Sequence, residues 1–404
     1  MDKIGALTGE AVGPAAWERF ESLPWPSKTD EEWRRTDPAK IPLAQVELNP
    51  DPASLRVGWE EISPELISSG VILTDLVSAK KQFPELIQEY LMKSGPPGGL
   101  TKFVALHEAL FSQGLFCYVP EGVSVELPLR SWVEIARDRV AVFPHVLMVV
   151  GKEAQVTLID ERRAAPGLGS QPIVSDEMVE IFLKAGARLR YVHLQKWPPQ
   201  VVELFTQRVL LEKDAHFLNL TMGLGGSLTK ANVETTLTQT GARTDLLGLF
   251  FGNDRQHFDF HTLQDHRAQS TTSDLLYKSA LKDESNAVYT GLIRIAREAQ
   301  KSDAYQANRN LLLSQGAKAD SIPMLEILAD DVRCTHGVAV GPVDEEQAFY
   351  LMSRGVPEAE AERLIVGGFF EQVIQRLAAG SVAGLPEEAL RQKLMNEVAE
   401  KMAP

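Results

Sequence analysis

The sequence predicts a mainly β chain whose strand-built centre is flanked by helical segments at both ends. Three observations predict it. From about residue 116 to 340, short apolar runs alternate with Gly/Asp/Asn turns, as in Gln155-Val156-Thr157-Leu158-Ile159 and Val233-Glu234-Thr235-Thr236-Leu237, and Thr and Val are frequent, as half-buried strands prefer. A weak repeat runs through this stretch: a turn residue, a small residue, then a polar and an apolar one. Its small residues stand at 154, 187, 215, 242, 285 and 317, with spacings of 33, 28, 27, 43 and 32. A period near 30 built of short strands fits a β-solenoid, in which each coil buries its inward side chains on the next. A β-sandwich with similar turns fits the pattern as well. Third, helical periodicity returns after residue 344.

Residues 1–115 mix Pro-rich loops with short amphipathic helices. Phe103, Val104, Leu106, Leu110 and Phe111 recur at helical intervals, with Gly114 as the expected C-cap. Leu115–Val119 then reads as a strand ending in the turn Pro120-Glu121-Gly122. The expected units are an N-terminal helical and loop region (1–115), a β core (116–341) and a C-terminal helical region (342–404). In the last, Asp344 is the expected N-cap with Gln347 at capping-box spacing, Pro357 opens a second helix and Pro386 a third. This helical unit is expected to cap the solenoid end with one side and to leave the other free for a partner.

The chain has 404 residues, with Lys+Arg 41 against Asp+Glu 55, a net charge of −14. Such a balance argues against a phosphate-neutralising surface, so nucleic acid is not an expected partner. Two cysteines, Cys117 and Cys334, cannot make a disulfide framework, a Cys₄ zinc site or a four-thiolate cluster unaided. The N-terminus shows no basic stretch leading an apolar core, and the longest apolar runs, such as Val146–Val150, are far too short to span a bilayer. A cytoplasmic protein without membrane attachment is expected.

Cys334-Thr335-His336-Gly337, preceded by Asp330 and Asp331, pairs a thiol and an imidazole two residues apart. These are ligands for iron, zinc or copper, but only half a site. The plain alternative is a turn with a packed cysteine and a surface histidine. On a strand, His257, Asp259 and His261 share one face, which suits a divalent metal or a polar stripe. The glycine run Met222–Lys230 lacks phosphate-loop spacing and reads as a turn between strands. No G-x-S-x-G elbow, H-E-x-x-H or EF-hand pattern occurs. Any ATP hydrolysis must come from a partner.

Several segments together resemble the SufB/SufD family of iron–sulfur cluster assembly proteins. They are Ala299–Tyr305, Asn308–Leu313, Pro323–Ile327, Asp344–Gln347 and Phe349–Leu351 leading to Ser353-Arg354-Gly355, with Lys28–Asp37 resembling the leading segment of SufD proteins. SufB proteins usually carry Glu-His-Glu before the helical end, whereas SufD proteins carry Cys-Ser/Thr-His-Gly, which Cys334–Gly337 matches. Val338-Ala339-Val340 departs from the more usual Ala-Thr-Val.

The resemblance implies a right-handed parallel β-helix core with helical ends, and a non-catalytic scaffold subunit that supports admission of iron and cluster assembly for transfer to apo-proteins. It implies pairing with SufB through the β-helices and docking of the SufC ATPase on the C-terminal helices, where Phe349, Tyr350, Arg354, Phe369 and Phe370 are the candidate contacts. It implies His336, with Cys334, as candidate ligand of iron or of a transient cluster shared with SufB. Reduced flavin is associated with the family's complexes, without a residue assignable here. The rival readings are a SufB-like principal scaffold or stand-alone homodimer, and a β-solenoid enzyme acting on polysaccharide, which would want paired carboxylates in an extended cleft.

Overall fold

The computed structural model of the chain describes residues 14–48, 51–95, 101–379 and 387–402. Among them, two sheets lie face to face and form a β-solenoid of about eight turns. From Gln113–Val119 onward the chain crosses from one sheet to the other in every coil, and strands pair with those of the neighbouring coils. In the first sheet the order is Leu55–Trp59, Leu129–Ile135, Gln155–Ala164, Arg188–Gln195, His216–Gly223, Arg243–Gly252, Thr272–Leu281, Asp303–Leu312 and Arg333–Pro342. The second runs Ile72–Asp75, Gln113–Val119, Pro144–Val150, Ile173–Leu183, Val201–Leu211, Leu228–Leu237, His257–His266, Asn286–Ile295 and Lys318–Ile327, with Ala141–Val142 beside Ile173–Leu183. Pairing is parallel throughout except at the beginning, where Leu55–Trp59 and Ile72–Asp75 pair antiparallel. The solenoid alternative is therefore the one that holds.

Side-chain alternation sorts every strand into an inward and an outward row. Val156, Leu158, Val179, Ile181, Leu189, Phe205, Phe217, Val233, Leu246, Phe258 and Leu275 point inward and meet in one continuous core. The outward row of the first sheet, including Val192, Leu220, Leu247 and Leu249, packs against the C-terminal helices through Val366, Phe370, Val373, Leu377, Leu390 and Leu394. The outward row of the second sheet is covered by the N-terminal region, where Phe20, Trp33 and Phe103 meet Val174, Val202 and Leu204. The expectation that the C-terminal helices cap the solenoid end is thus corrected. Their apolar stripe matches the apolar outer row of a flank, and the end stays open.

The repeat has a structural cause. Ala154, Ala187, Ala215 and Ala242 are fully buried at the bend before four successive strands of the first sheet. The residue before each, Glu153, Gly186, Asp214 and Gly241, has a left-handed φ of 56° to 77°, which turns the chain tightly into the next face. Ser285 and Ala317 occupy the same place before strands of the second sheet. The spacing of 43 is the jump from one sheet's series to the other's.

Three boundaries differ from the expectations. Gly114 is not a helix cap. The helix Lys102–Leu110 ends with Phe111 as C-cap, and Gly114 lies within a strand where a Cβ would stand 1.7 Å from the His145 carbonyl oxygen. Asp344 does cap the helix Glu345–Ser353, accepting from the backbone N–H of Glu346 and Gln347, whereas Pro357 is the N-cap rather than the first residue of Glu358–Ala378. Pro386 lies outside the described residues, and the last helix is described from Glu387 to Lys401.

Candidate functional site

The solenoid ends on two ten-residue strands, Lys318–Ile327 and Arg333–Pro342, each the last of its sheet. Among the described residues, their outer edges are unpaired and no further coil covers their inward row. Val338 and Val340 of one strand are 44% and 43% exposed, and Leu325 and Ile327 of the other are 39% exposed each. These are core-type residues at core-type positions, left open by the end of the coil stack.

Cys334 and His336 belong to this inward row, in register with Ala304 and Gln306 of the preceding coil. Cys334 is half-buried and packs against a small cluster around Ile293, Ile295 and Ala304. Burial pushes its thiol above the usual range, and the Asp303 carboxylate adds to the effect. The Cys334 sulfur is therefore a protonated thiol until something exposes it or coordinates it. His336 is exposed at the rim. Cys117 faces the apolar lumen, and burial pushes its thiol up to about 12, so it serves as packing.

His257, Asp259 and His261 do share one face, the outward row of the second sheet, on a strand two places from the last strand Lys318–Ile327 and on the opposite face from its inward row. A cation already occupies this stripe. The Lys230 ammonium donates to Asp259 Oδ2 at 2.9 Å and to the Glu32 carbonyl at 2.7 Å, and lies 3.0 Å from His261 Nε2. Thr36 donates to Asp259 and accepts from His257 Nε2 at 2.8 Å, while Asn286 donates to His257 Nδ1. Burial acts to raise the Asp259 carboxyl. The His261 contact, the Lys230 charge and the Thr36 hydroxyl outweigh it and hold the group well below the carboxylate range. The stripe is a lock that fastens the segment Lys28–Asp37 to the solenoid. Of the run Met222–Lys230, residues 224–227 form the turn and the rest belong to the two flanking strands, and Gly225 is required in the turn because a Cβ would stand 2.0 Å from the Trp197 carbonyl oxygen.

The C-terminal helices leave a groove of about 1050 Å³ between Glu345–Ser353, Glu358–Ala378 and the last coil, lined by Leu311, Pro342, Tyr350, Leu351, Leu364 and Phe369. Phe349 is 68% and Tyr350 58% exposed, and the Arg354 guanidinium sits 5.2 Å from the Tyr350 ring. Phe369 is half-buried under the Lys278 ammonium. Phe370, grouped with these on sequence grounds, is fully buried between helix and sheet. It supports the helix and does not face a partner.

Sequence reasoning missed the polar interior. Asp160, Arg162, Glu177, His193, Gln195 and Glu203 all lie in the inward rows and are at most 2% exposed. Their signal was present as charged residues at core parity within strands such as Ile173–Leu183, but parity is visible only once the sheet faces are assigned.

Two family models match the chain. Residues 133–369 match the model of the SufBD core domain of SUF-system iron–sulfur cluster assembly, and residues 59–130 match the SufBD N-terminal region. The chain belongs to the SufBD family. Among its relatives, the iron–sulfur cluster assembly protein SufB of Bacillus subtilis is 33% identical over 321 residues, covering 80% of this chain and 68% of that one. SufD of the same organism is 30% identical over 343 residues, covering 84% and 76%. A SufBD family protein of Staphylococcus epidermidis is 31% identical over 321 residues, covering 80% and 68%. This SufBD protein is thus similar to both paralogues alike. No helix among its described residues is long and apolar enough to cross a membrane.

Proposed function

We propose that this SufBD protein is the SufD-like scaffold subunit of a SufB–SufC–SufD complex in the cytoplasm, and that its open solenoid end is where it pairs with SufB. The observation that carries this is the uncovered last coil: two unpaired edges of ten residues, with Leu325, Ile327, Val338 and Val340 exposed on the inward row. Edges of that length with apolar lips are templates for strand addition. A family partner ending in a similar coil would extend both sheets and cover the lips together. The motif Cys334–Gly337 favours the SufD side of the pairing.

At that junction Cys334 and His336 are placed to offer one sulfur and one imidazole to iron or to a forming cluster, the partner supplying the remaining ligands. A shared ligand set suits a cargo that must leave for an apo-protein. The cluster is assembled here as cargo, and the chain itself is a scaffold without catalysis of its own. SufC would dock over the groove of the C-terminal helices, with Phe349, Tyr350, Arg354 and Phe369 as its contacts. Reduced flavin belongs to the same reading, with no residue assigned to it. Residues 1–115, 116–341 and 342–404 are the working units: cover, scaffold and dock.

The test is co-expression with SufB and SufC followed by mass determination of the purified complex, then cluster formation with His336→Ala. A stable three-component complex and a reduced cluster yield are expected. Failure to form the complex overturns the pairing, and unchanged yield and iron content remove His336 from the mechanism. A SufB-like scaffold or homodimer would instead hold a cluster when the chain is purified alone without oxygen, read by visible absorbance.

A further inference from the structure

The lumen holds a second group of metal-type ligands, separate from the last coil. Glu177, His193 and Glu203 come from three successive strands, Ile173–Leu183, Arg188–Gln195 and Val201–Leu211, and thus from two adjacent coils. Each offers one ligand atom, and the three atoms lie within 4.8 Å of one another. All three side chains are at most 2% exposed.

We propose that a divalent transition-metal ion binds inside the solenoid between Glu177, His193 and Glu203. Three observations carry it. First, His193 Nδ1 is buried and has no hydrogen-bond partner, an uncommon state for a ring nitrogen and one that coordination would resolve. The ring is held against Phe205, with centroids 4.4 Å apart. Second, three carboxyl groups, Asp160, Glu177 and Glu203, share a buried interior with one guanidinium, that of Arg162. A divalent cation would compensate the carboxylates that Arg162 leaves unpaired, and unpaired buried charge is costly. Third, both carboxylates are already oriented from behind. Glu203 accepts from Trp197 Nε1 at 2.7 Å, from Gln195 Nε2 at 3.0 Å and from Thr229 Oγ1 at 3.1 Å, and Glu177 accepts from Arg162 Nε at 2.8 and 2.9 Å. Such outer partners are how proteins aim ligating groups. A set of one imidazole and two carboxylates with no sulfur selects borderline ions such as Fe(II), Mn(II) or Zn(II), and not Cu(I). The ion would tie two coils together across the lumen, as a resident staple independent of any cargo at Cys334 and His336.

The experiment uses the full chain, handled without oxygen, and each of Fe(II), Mn(II) and Zn(II) alone. Metal is counted in the protein as isolated and again after incubation and desalting, and the coordination shell is read by X-ray absorption. About one equivalent of at least one ion in an oxygen/nitrogen shell is expected, with a higher melting temperature in its presence. The variant Cys334→Ser/His336→Ala should keep the ion. Glu203→Gln and, separately, His193→Gln should weaken binding roughly 10- to 100-fold, with the fold checked by circular dichroism. Two substitutions guard against either one failing to fold. No retained ion in the unaltered chain, sulfur in the shell, or loss in Cys334→Ser/His336→Ala with retention in both lumen variants each overturns the proposal.

Discussion

The Lys230 ammonium sits 2.9 Å from Asp259 Oδ2, both side chains almost wholly buried, at the seam between the leading segment and the solenoid. Removing one partner of such a pair leaves an uncompensated charge in a poorly hydrated place. Lys230→Met is expected to destabilise the chain by about 3–5 kcal/mol, read from urea unfolding. Lys230→Met/Asp259→Asn should recover part of that loss. A single variant as stable as the original would show that Asp259 finds its neutralisation elsewhere.

Acid should loosen the C-terminal helices from their flank. Burial works to raise the Asp245 carboxyl, but the His216 and Arg243 hydrogen bonds overcome it and bring it down to about 2. Arg376 of the helix Glu358–Ala378 reaches the same carboxylate at 3.9 Å and Asp274 at 2.7 Å. A depressed carboxyl contributes stability that is fully present above its unfolded value near 4 and is lost as pH falls towards 2. Asp245→Asn is expected to flatten the stability profile in that window, by on the order of 2 kcal/mol. Equilibrium unfolding at pH 5, 4 and 3, where about half of that loss falls, and at pH 2 measures it, and parallel curves for the two proteins would contradict it.

Val338→Lys places a charge on the open inward row without touching the sealed lumen. Stability of the isolated chain should change by no more than about 0.5 kcal/mol, since the site is exposed. Capture of the SufB-type partner should fall at least ~10-fold, because a lysine on an edge is a natural deterrent to strand addition. Undiminished capture would place the contact elsewhere on the molecule.

Gly114→Ala tests a close approach that the sequence disguised as a helix stop. An added methyl meets the His145 carbonyl oxygen, so the two strands must part. The expected cost is roughly 1–3 kcal/mol, as for other overpacked interiors, read as a lower melting temperature.

Gly114 also illustrates what was legible in the sequence. A glycine after an amphipathic run looks the same whether it ends a helix or lets two backbones touch, and only the neighbouring strand decides. The coils themselves were legible, because Ala154, Ala187, Ala215 and Ala242 mark the same bend in successive turns. The match of Asp344 and Gln347 to a capped helix start was equally local. The ammonium within His257-Asp259-His261 was not legible, since Lys230 lies one coil away and enters the stripe only through sheet register. The lumen group was hidden for the same reason: Glu177, His193 and Glu203 converge across two sheets. The placement of the C-terminal helices was misread because an apolar stripe specifies that it must be covered, not by which face of the solenoid.

The asymmetry of the two ends has a consequence for growth. At the beginning, the sheets finish in antiparallel strands of only five and four residues, Leu55–Trp59 and Ile72–Asp75, with the helix Pro64–Ser68 between them. At the other end stand two ten-residue parallel edges. In the language of polymerisation, the proposed pairing would make the chain a monofunctional monomer: one reactive terminus would join one partner, and the short antiparallel beginning would offer no second site for head-to-tail propagation into a fibre, the ordinary hazard of stacked β coils.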